Sequence, residues 1–236
     1  MNKNNSKIIW KDYNGKKKLF TIIPKPENQK NQYRNWSPFY SKLAAALFNG
    51  LEIFPFKSDS KIFYSDNSSN TTLNHLLDII DSKGTIYLQK NNSTKIKNLK
   101  NVVIIDQGKN NTLHNHDQKE TFDVIYLDIT NDKKLQTQIL NHEMTLKKSG
   151  FLIIILNSIS KINDSSFRNQ INDVITNSSS SLQFIQEINL SGFFKNCMMV
   201  ILQKTGKPVT DSATKLTFRR LDLQAALEHV FPLEKK

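Results

Sequence analysis

Two features of this sequence have residue types that could do chemistry on their own, a histidine pair and a single cysteine. His114-Asn115-His116-Asp117 places imidazole and carboxylate groups close together, as in fragments that bind metal ions. No companion cluster accompanies it in the sequence, so a polar loop is the favoured interpretation and no metal is predicted. Cys197 precedes an apolar run, where cysteine usually packs as a small hydrophobic residue and not as a nucleophile.

A third group of polar residues is spread over residues 33–72. Tyr33-Arg34-Asn35-Trp36-Ser37-Pro38 leads into Ser41-Lys42-Leu43-Ala44-Ala45-Ala46, and a strand then ends in Ser69-Asn70-Thr71-Thr72. This arrangement resembles fibrillarin, the RNA 2′-O-methyltransferase of box C/D guide ribonucleoproteins. There an Arg-x-Trp-x-Pro-x-x-Ser-Lys-Leu-Ala-Ala-Ala helix precedes a strand and a Gly-x-x-x-Gly-Thr-Thr methyl-donor loop. The resemblance extends from about Ser6 to Gln203.

The resemblance implies a site for S-adenosylmethionine (SAM), which a glycine-rich turn allows the backbone to approach closely. Thr71 and Thr72 match the family threonines, and Asp128 is a third matched position. Asp66 and Asn70 stand where the two glycines are expected. Asparagine tolerates the left-handed conformation, whereas the aspartate adds bulk and negative charge beside the methionine moiety.

Two further cofactor contacts of the family are altered. Lys90 follows the strand whose end ordinarily carries the acid that holds the ribose hydroxyls. An aspartate that contacts adenine is expected near Gly108, and Asp106 lies two positions away. With Asp66 in the donor loop and Lys90 at the ribose position, we expect SAM to bind at millimolar affinity or worse.

The resemblance also implies a catalytic Lys-Asp-Lys set with a histidine, which helps remove the ribose 2′ proton and positions the hydroxyl. Lys42 matches the first lysine and Asp128 the aspartate. Asn157 stands in place of the second lysine, and Asn196-Cys197 in place of an Asp-His pair. Asparagine cannot titrate, and cysteine lacks the basicity of imidazole.

Each retained residue also has an interpretation without catalysis. Lys42 is equally well explained as exposed helix surface, and Asp128 as an ordinary residue of a helix-initiating loop. The threonine pair is more simply explained as the N-cap of the following helix. Arg34 and Trp36 are expected to pack between domains, although a basic residue beside an aromatic one also suits RNA.

Turn residues and apolar spacing predict the elements that position these residues. Asn14-Gly15 indicates a hairpin between Ser6–Trp10 and Lys18–Ile23, and the polar stretch 27–32 is typical of a linker. Ser37-Pro38 predicts the start of a helix that Gly50 ends.

Beyond residue 60, strand and helix patterns alternate. Strands are predicted over residues 61–65, 86–88, 102–105, 122–127 and 151–156, and an antiparallel pair over 182–188 and 197–202. Apolar spacing predicts helices over 73–80, ended by Gly84, over 135–146, ended by Gly150, and over 167–175. The pattern predicts an α/β fold with a doubly wound, mostly parallel sheet, which the resemblance makes SAM-methyltransferase-like.

The predicted domains are a small N-terminal β unit (residues 1–32), an α/β domain (33–204) and a linker with a C-terminal helix (205–236). In the last, Asp222 is a helix N-cap, and one stripe carries Leu223, Ala226, Leu227, Val230 and Phe231. Arg219 and Arg220 precede it, beside a predicted acidic or phosphate surface. Docking on a partner is favoured over folding back, because the core pattern is complete by Leu202.

Composition excludes some classes of protein and leaves others open. The chain has 236 residues with 38% hydrophobic content, which is typical of a globular protein. It lacks an uninterrupted apolar run long enough for a membrane helix, and its start lacks the apolar core of a secretion signal. One cysteine excludes an intrachain disulfide and fits a reducing compartment. The sequence resembles archaeal fibrillarins in having no Gly/Arg-rich N-terminal extension. This resemblance predicts a cytoplasmic protein.

The charge is strongly positive, with 33 lysines and arginines against 21 acids and a formal net charge of +12. Such a protein attracts polyanions, and nucleic acid is the commonest of these. An AT-rich genome would also enrich lysine, and those lysines would lie on a solvated surface. This explanation accounts for the positive charge equally well.

Three functional hypotheses follow. The preferred one is a fibrillarin-like pseudoenzyme that binds guide and target RNA and a coiled-coil scaffold protein of the Nop family, with weak or absent methyl transfer. The RNA- or partner-binding residues would be Arg34, Lys42, Arg219 and Arg220. The second is an active, divergent SAM-dependent RNA 2′-O-methyltransferase, and the third is a stand-alone basic RNA-binding protein. SAM is the expected cofactor of an active enzyme, and none is expected otherwise.

Overall fold

The structure is a computed structural model that describes residues 7–23, 25, 28–65, 70–89, 100–105, 120–130, 135–157, 165–176 and 180–206. Its strands are β1 (Ile8–Tyr13), β2 (Lys16–Ile23), β3 (Gln32–Asn35), β4 (Lys61–Ser65), β5 (Thr85–Gln89), β6 (Val102–Ile105), β7 (Phe122–Ile129), β8 (Leu146–Leu156), β9 (Leu182–Asn189) and β10 (Met198–Lys204). Its helices are α1 (Lys42–Phe48), α2 (Asn70–Ile79), α3 (Leu135–Glu143) and α4 (Ser165–Thr176).

The N-terminal unit is a three-stranded antiparallel sheet in the order β1-β2-β3. Asn14 and Gly15 have φ angles of 55° and 72°, so the predicted hairpin turn is confirmed. Strand β3 was missed, because it is exposed along its length and its sequence shows no apolar alternation. It crosses the predicted limit at residue 32, and the domain limits themselves stay a prediction.

The main sheet has seven strands in the order β6-β5-β4-β7-β8-β10-β9. Strands β4 to β8 pair in parallel, and β10 pairs antiparallel with both β8 and β9. Helices α1 and α2 contribute to the apolar core on one face, and α3 and α4 to the core on the other. The predicted doubly wound, mostly parallel fold is therefore confirmed.

The order of the strands fixes where a ligand crevice lies. From β4 the chain moves outward to β5 and β6, and it then returns to β7 on the other side of β4. In open α/β sheets, ligands bind beyond the carboxyl ends of the strands at such a reversal. Residues at the ends of β4 and β7 are therefore the candidates for a site.

The predicted helix over 135–146 with a stop at Gly150 is partly wrong. Helix α3 ends at Glu143, and Leu146 begins β8 opposite Phe122. Gly150 lies inside that strand, where an added Cβ would be 3.0 Å from the carbonyl oxygen of Asp123. Ser149 has φ 62° and the ladder shifts register here, so the glycine permits a close backbone approach at a bulge.

The predicted start of α1 is also wrong. Ser37 and Pro38 lie in a turn ahead of the helix, and Ser41 is the N-cap, whose hydroxyl accepts a hydrogen bond from the amide of Ala44 at 3.2 Å. Gly50, with φ 92°, follows the C-cap as predicted. Because Ser41 is the N-cap, Lys42 is the first helical residue of α1.

Several predicted features fall outside the described residues. They are Asp66, Lys90, Asp106, the His114-x-His116-Asp117 segment, Arg219, Arg220 and the helix that follows Asp222. Within the described part of the chain, no helix is long and apolar enough to cross a membrane, and no group of three or more side chains could hold a metal ion.

Candidate active site

A buried ion pair joins α1 to the end of β7. Lys42 is 5% exposed and Asp128 is 6% exposed, and the lysine Nζ lies 2.6 Å from Oδ2 of the aspartate. The alternative interpretations placed the lysine on an exposed helix surface and the aspartate in a loop, and both are wrong. Each of these buried charges compensates the other, because either one alone would be an unpaired charge removed from water.

The pair continues into two further side chains at the neighbouring strand ends. Asn157, directly after β8, donates from Nδ2 to Oδ1 of Asp128, and its backbone amide donates to the carbonyl of Ile129 at 3.1 Å. The thiol of Cys197 donates to Oδ1 of Asn157, with 3.6 Å between sulfur and oxygen. We call this connected group of Lys42, Asp128, Asn157 and Cys197 the tetrad.

The chemistry of the tetrad follows from its members. Both oxygens of Asp128 accept hydrogen bonds, one from Lys42 and one from Asn157. The amide of Asn157 cannot gain or lose a proton, so it links the carboxylate to the thiol without relaying protons as an imidazole would. The geometry supports a stable buried network more readily than proton transfer.

The first turn of α2 lies beside this network. The helix begins at Asn70, so Thr71 and Thr72 lie within it, and their interpretation as an N-cap before the helix is wrong. The hydroxyl of Thr72 is buried and lies 3.0 Å from that of Ser41, the N-cap of α1. This hydrogen bond connects the starts of the two helices that border the crevice.

Asn196, which precedes the cysteine of the tetrad, has a φ angle of 54°. Asparagine adopts this left-handed conformation more readily than most other residues. The backbone therefore gives a physical reason for asparagine here that is separate from any catalytic role.

A comparison of the whole sequence with known families identifies the chain. The model of the Fibrillarin family matches residues 7–206, which include both sheets and the tetrad.

The chain belongs to the fibrillarin family.

Known fibrillarins show how far the similarity extends. The fibrillarin-like rRNA/tRNA 2′-O-methyltransferase of Methanocaldococcus jannaschii is 35% identical over 132 residues, which is 53% of this chain and 57% of that protein. The solved Methanococcus jannaschii fibrillarin pre-rRNA processing protein is 26% identical with a TM-score of 0.65, covering 85% of this chain and 99% of that one. A fibrillarin/Nop5p complex is 20% identical with a TM-score of 0.60, covering 79% and 94%. The chain spans little more than half the length of the first curated relatives that it matches.

Arg34 and Trp36 connect the small sheet to α2. Arg34 forms an ion pair with Asp78, although its own side chain is 45% exposed. Burial raises the pKa of the Asp78 carboxyl, and the hydrogen bond and charge of Arg34 oppose that rise. These contacts agree with the expected packing between domains, while an RNA contact of Arg34 stays a prediction.

His75 is a feature that sequence reasoning missed. Its ring stacks on buried Trp36, with centroids 4.2 Å apart and planes at 7°, and the indole N–H donates to the hydroxyl of Thr21. Nδ1 of the histidine has no hydrogen-bond partner among the described residues. The burial of His75 could have been predicted from its position among the apolar residues of α2, between Leu73 and Leu76.

The free energy of unfolding of this chain is expected to fall as the pH decreases from about 6.5 to about 4. Burial lowers the pKa of His75 to about 4 from 6.5, aided by the charge of Arg34 and opposed by a hydrogen bond with the backbone of Asn35. The unfolded chain therefore binds a proton in this window before the folded chain does. The contribution of neutral His75 to the free energy of unfolding is fully present above pH 6.5 and is lost below pH 4. The loss is on the order of 3 kcal/mol.

Urea denaturation at several pH values, on the natural chain and on His75→Phe, measures this contribution. The variant is expected to lose less stability between pH 6.5 and pH 4, because phenylalanine has no titrating group. Parallel pH curves for the two proteins would contradict the assignment.

Proposed function

We propose that this chain is a cytoplasmic component of a box C/D-type guide ribonucleoprotein, in which it binds RNA and a Nop-family scaffold protein while methyl transfer is weak or lost. The observation that carries the proposal is the tetrad, in which Asn157 and Cys197 complete the network around the retained Lys42 and Asp128. The groups that would exchange protons at those two positions are replaced by an amide and a thiol.

The cofactor contacts give independent support. SAM is the methyl donor of the fibrillarin family, yet two retained polar groups of this chain are engaged by other side chains: the Asp128 carboxylate accepts a hydrogen bond from Asn157, and the Thr72 hydroxyl lies 3.0 Å from that of Ser41. Asp66 and Lys90 reverse the expected chemistry of the donor loop and of the ribose contact. These residues do not fit SAM, so we derive no methyl-transfer step.

A partner-binding role is supported by the extent of the family fold that this chain keeps. The family match covers both sheets, and a known fibrillarin forms a complex with Nop5p. The apolar cores on both faces of the main sheet are complete among the described residues. A chain without function would not be expected to keep this packing.

One specific observation favours the second candidate, an active SAM-dependent rRNA/tRNA 2′-O-methyltransferase. Lys42 and Asp128 keep the family residue types and lie 2.6 Å apart. A stand-alone RNA-binding protein is the third candidate, which the net charge of +12 supports.

Reconstitution with a Nop-family scaffold protein, a kink-turn-binding protein and a guide RNA tests the proposal. We expect this chain to enter the complex and to transfer less than about a tenth as much labelled methyl group from SAM to target RNA as the positive control does. The Methanocaldococcus jannaschii relative in the same assembly is the positive control. Methyl transfer within tenfold of that control would establish the second candidate, and failure to enter the complex while still binding RNA would establish the third.

A further inference from the structure

The two faces of the small N-terminal sheet have different chemistry. Successive side chains of a strand point to opposite faces, and residues paired across strands share a face. Trp10 pairs with Leu19 and Thr21 with Arg34, so these four residues share one face. Those residues pack on the main domain. Trp10 lies against Phe48 of α1 with ring centroids 4.9 Å apart, and Leu19 is buried. Thr21 accepts a hydrogen bond from Trp36, and Arg34 forms an ion pair with Asp78. The opposite face is turned away from α1 and α2.

That opposite face combines cations with aromatic rings. The Nζ atom of Lys11 lies 3.4 Å from the ring centroid of Tyr33, and that of Lys18 lies 4.5 Å from the ring centroid of Tyr13. The ring of Phe20 meets that of Tyr33 edge to face at 6.4 Å. We call this group the lysine–tyrosine face.

The face carries positive charge and no described acid. Lys16 lies opposite Tyr13 and adds a third lysine to the face. Asp12 is the one acidic residue of β1, β2 and β3, and it alternates to the other side, where its Oδ1 accepts a hydrogen bond from the amide of Gly15 at 2.9 Å. Tyr13 is 58% exposed and Tyr33 is 45% exposed, so their rings remain accessible beside the ammonium groups.

We propose that the lysine–tyrosine face binds single-stranded RNA. Proteins bind single strands by placing phosphates along a positive surface and stacking bases on aromatic side chains. Lys11, Lys16 and Lys18 supply the charge, and Tyr13 and Tyr33 supply the rings. This inference deepens the RNA-binding role proposed above and assigns it to a surface that is separate from the tetrad.

Fluorescence anisotropy with a labelled 12-nucleotide oligouridylate tests the charge component. Replacing Lys11, Lys16 and Lys18 by alanine is expected to weaken binding on the order of 50-fold at 0.15 M salt and to lower the salt slope of log K by about 2, at about 0.7 per phosphate contact. The matched control replaces Lys17, Lys57 and Lys83, which are exposed and lie off this face, by alanine. The control, with the same net charge, is expected to bind within threefold of the natural chain.

A second variant tests the rings. Tyr13→Ser with Tyr33→Ser is expected to weaken binding at least tenfold and to leave the salt slope unchanged, because stacking releases no counterions. Tyr13→Phe with Tyr33→Phe keeps the aromatic surfaces and is expected to restore the affinity. Restoration by phenylalanine separates loss of stacking from loss of folding.

Four outcomes would overturn the inference. Equal loss in the two lysine variants would mean that net charge attracts RNA without a defined face. Binding to phosphatidylserine vesicles with no measurable binding to the oligonucleotide would assign the lysines to a lipid surface. Tight RNA binding that none of the variants weakens would reject this face and leave the RNA-binding role intact, whereas a natural chain that binds no RNA at low salt would reject both.

Discussion

Replacing Lys42 by methionine is expected to lower the free energy of unfolding by about 3–5 kcal/mol, the cost of leaving one charge of a buried pair unpaired. Methionine keeps the length and much of the volume of lysine, so the loss reports the charge and not a cavity. With Lys42 gone, Asp128 keeps the hydrogen bond from Asn157 but loses its cation at 2.6 Å. Urea denaturation at neutral pH measures the change.

Lys147→Met is the matched control, because Lys147 also pairs with an aspartate, Asp123, at 2.7 Å. Those two side chains are 39% and 35% exposed. Water screens such a pair, and its loss is expected to cost about 1 kcal/mol or less. Equal losses in the two variants would contradict the view that the tetrad is a buried structural network.

The second large effect concerns the cofactor. A variant with Asp66→Gly, Asn70→Gly and Lys90→Glu is expected to bind SAM more tightly than the natural chain. It should recover part of the gap to a typical enzyme, which is roughly 100-fold, or about 2.7 kcal/mol. The glycines allow the close backbone approach, and the glutamate restores an acceptor for the ribose hydroxyls. Isothermal titration calorimetry with SAM gives the two affinities.

The matched control carries Asp59→Gly and Lys83→Glu, which make the same change in net charge at exposed positions. Its affinity for SAM is expected to equal that of the natural chain. If the control gained as much affinity as the restored variant, the effect would come from overall charge and not from the donor loop and ribose contact.

The sequence predicted the order of most elements because their signals are local. The all-apolar run 151–156 predicted a strand buried on both faces, and Asn14-Gly15 predicted a hairpin turn. The errors arose where tertiary contacts override local pattern. Leu146 continues the helical spacing of Leu135 and Ile139, but pairing with Phe122 makes it a strand residue.

The candidate site could be predicted only in part, for a similar reason. Matching to the family motif named all four tetrad positions, and the structure brings them together. Nothing local in the sequence revealed that Lys42 is buried, since a lysine in a helix is usually solvated. The stacking of His75 on Trp36 joins residues from separate elements, and no spacing along the chain encodes it.

The affinity of the unmodified chain for SAM tests most directly the proposal that the chain keeps the fibrillarin fold while methyl transfer is weak or lost. Isothermal titration calorimetry of the full chain is expected to give a dissociation constant in the millimolar range or weaker, because Asp66 and Lys90 replace the family residues and the retained polar groups of the tetrad bind one another. A dissociation constant in the micromolar range would contradict the claim and favour an active methyltransferase.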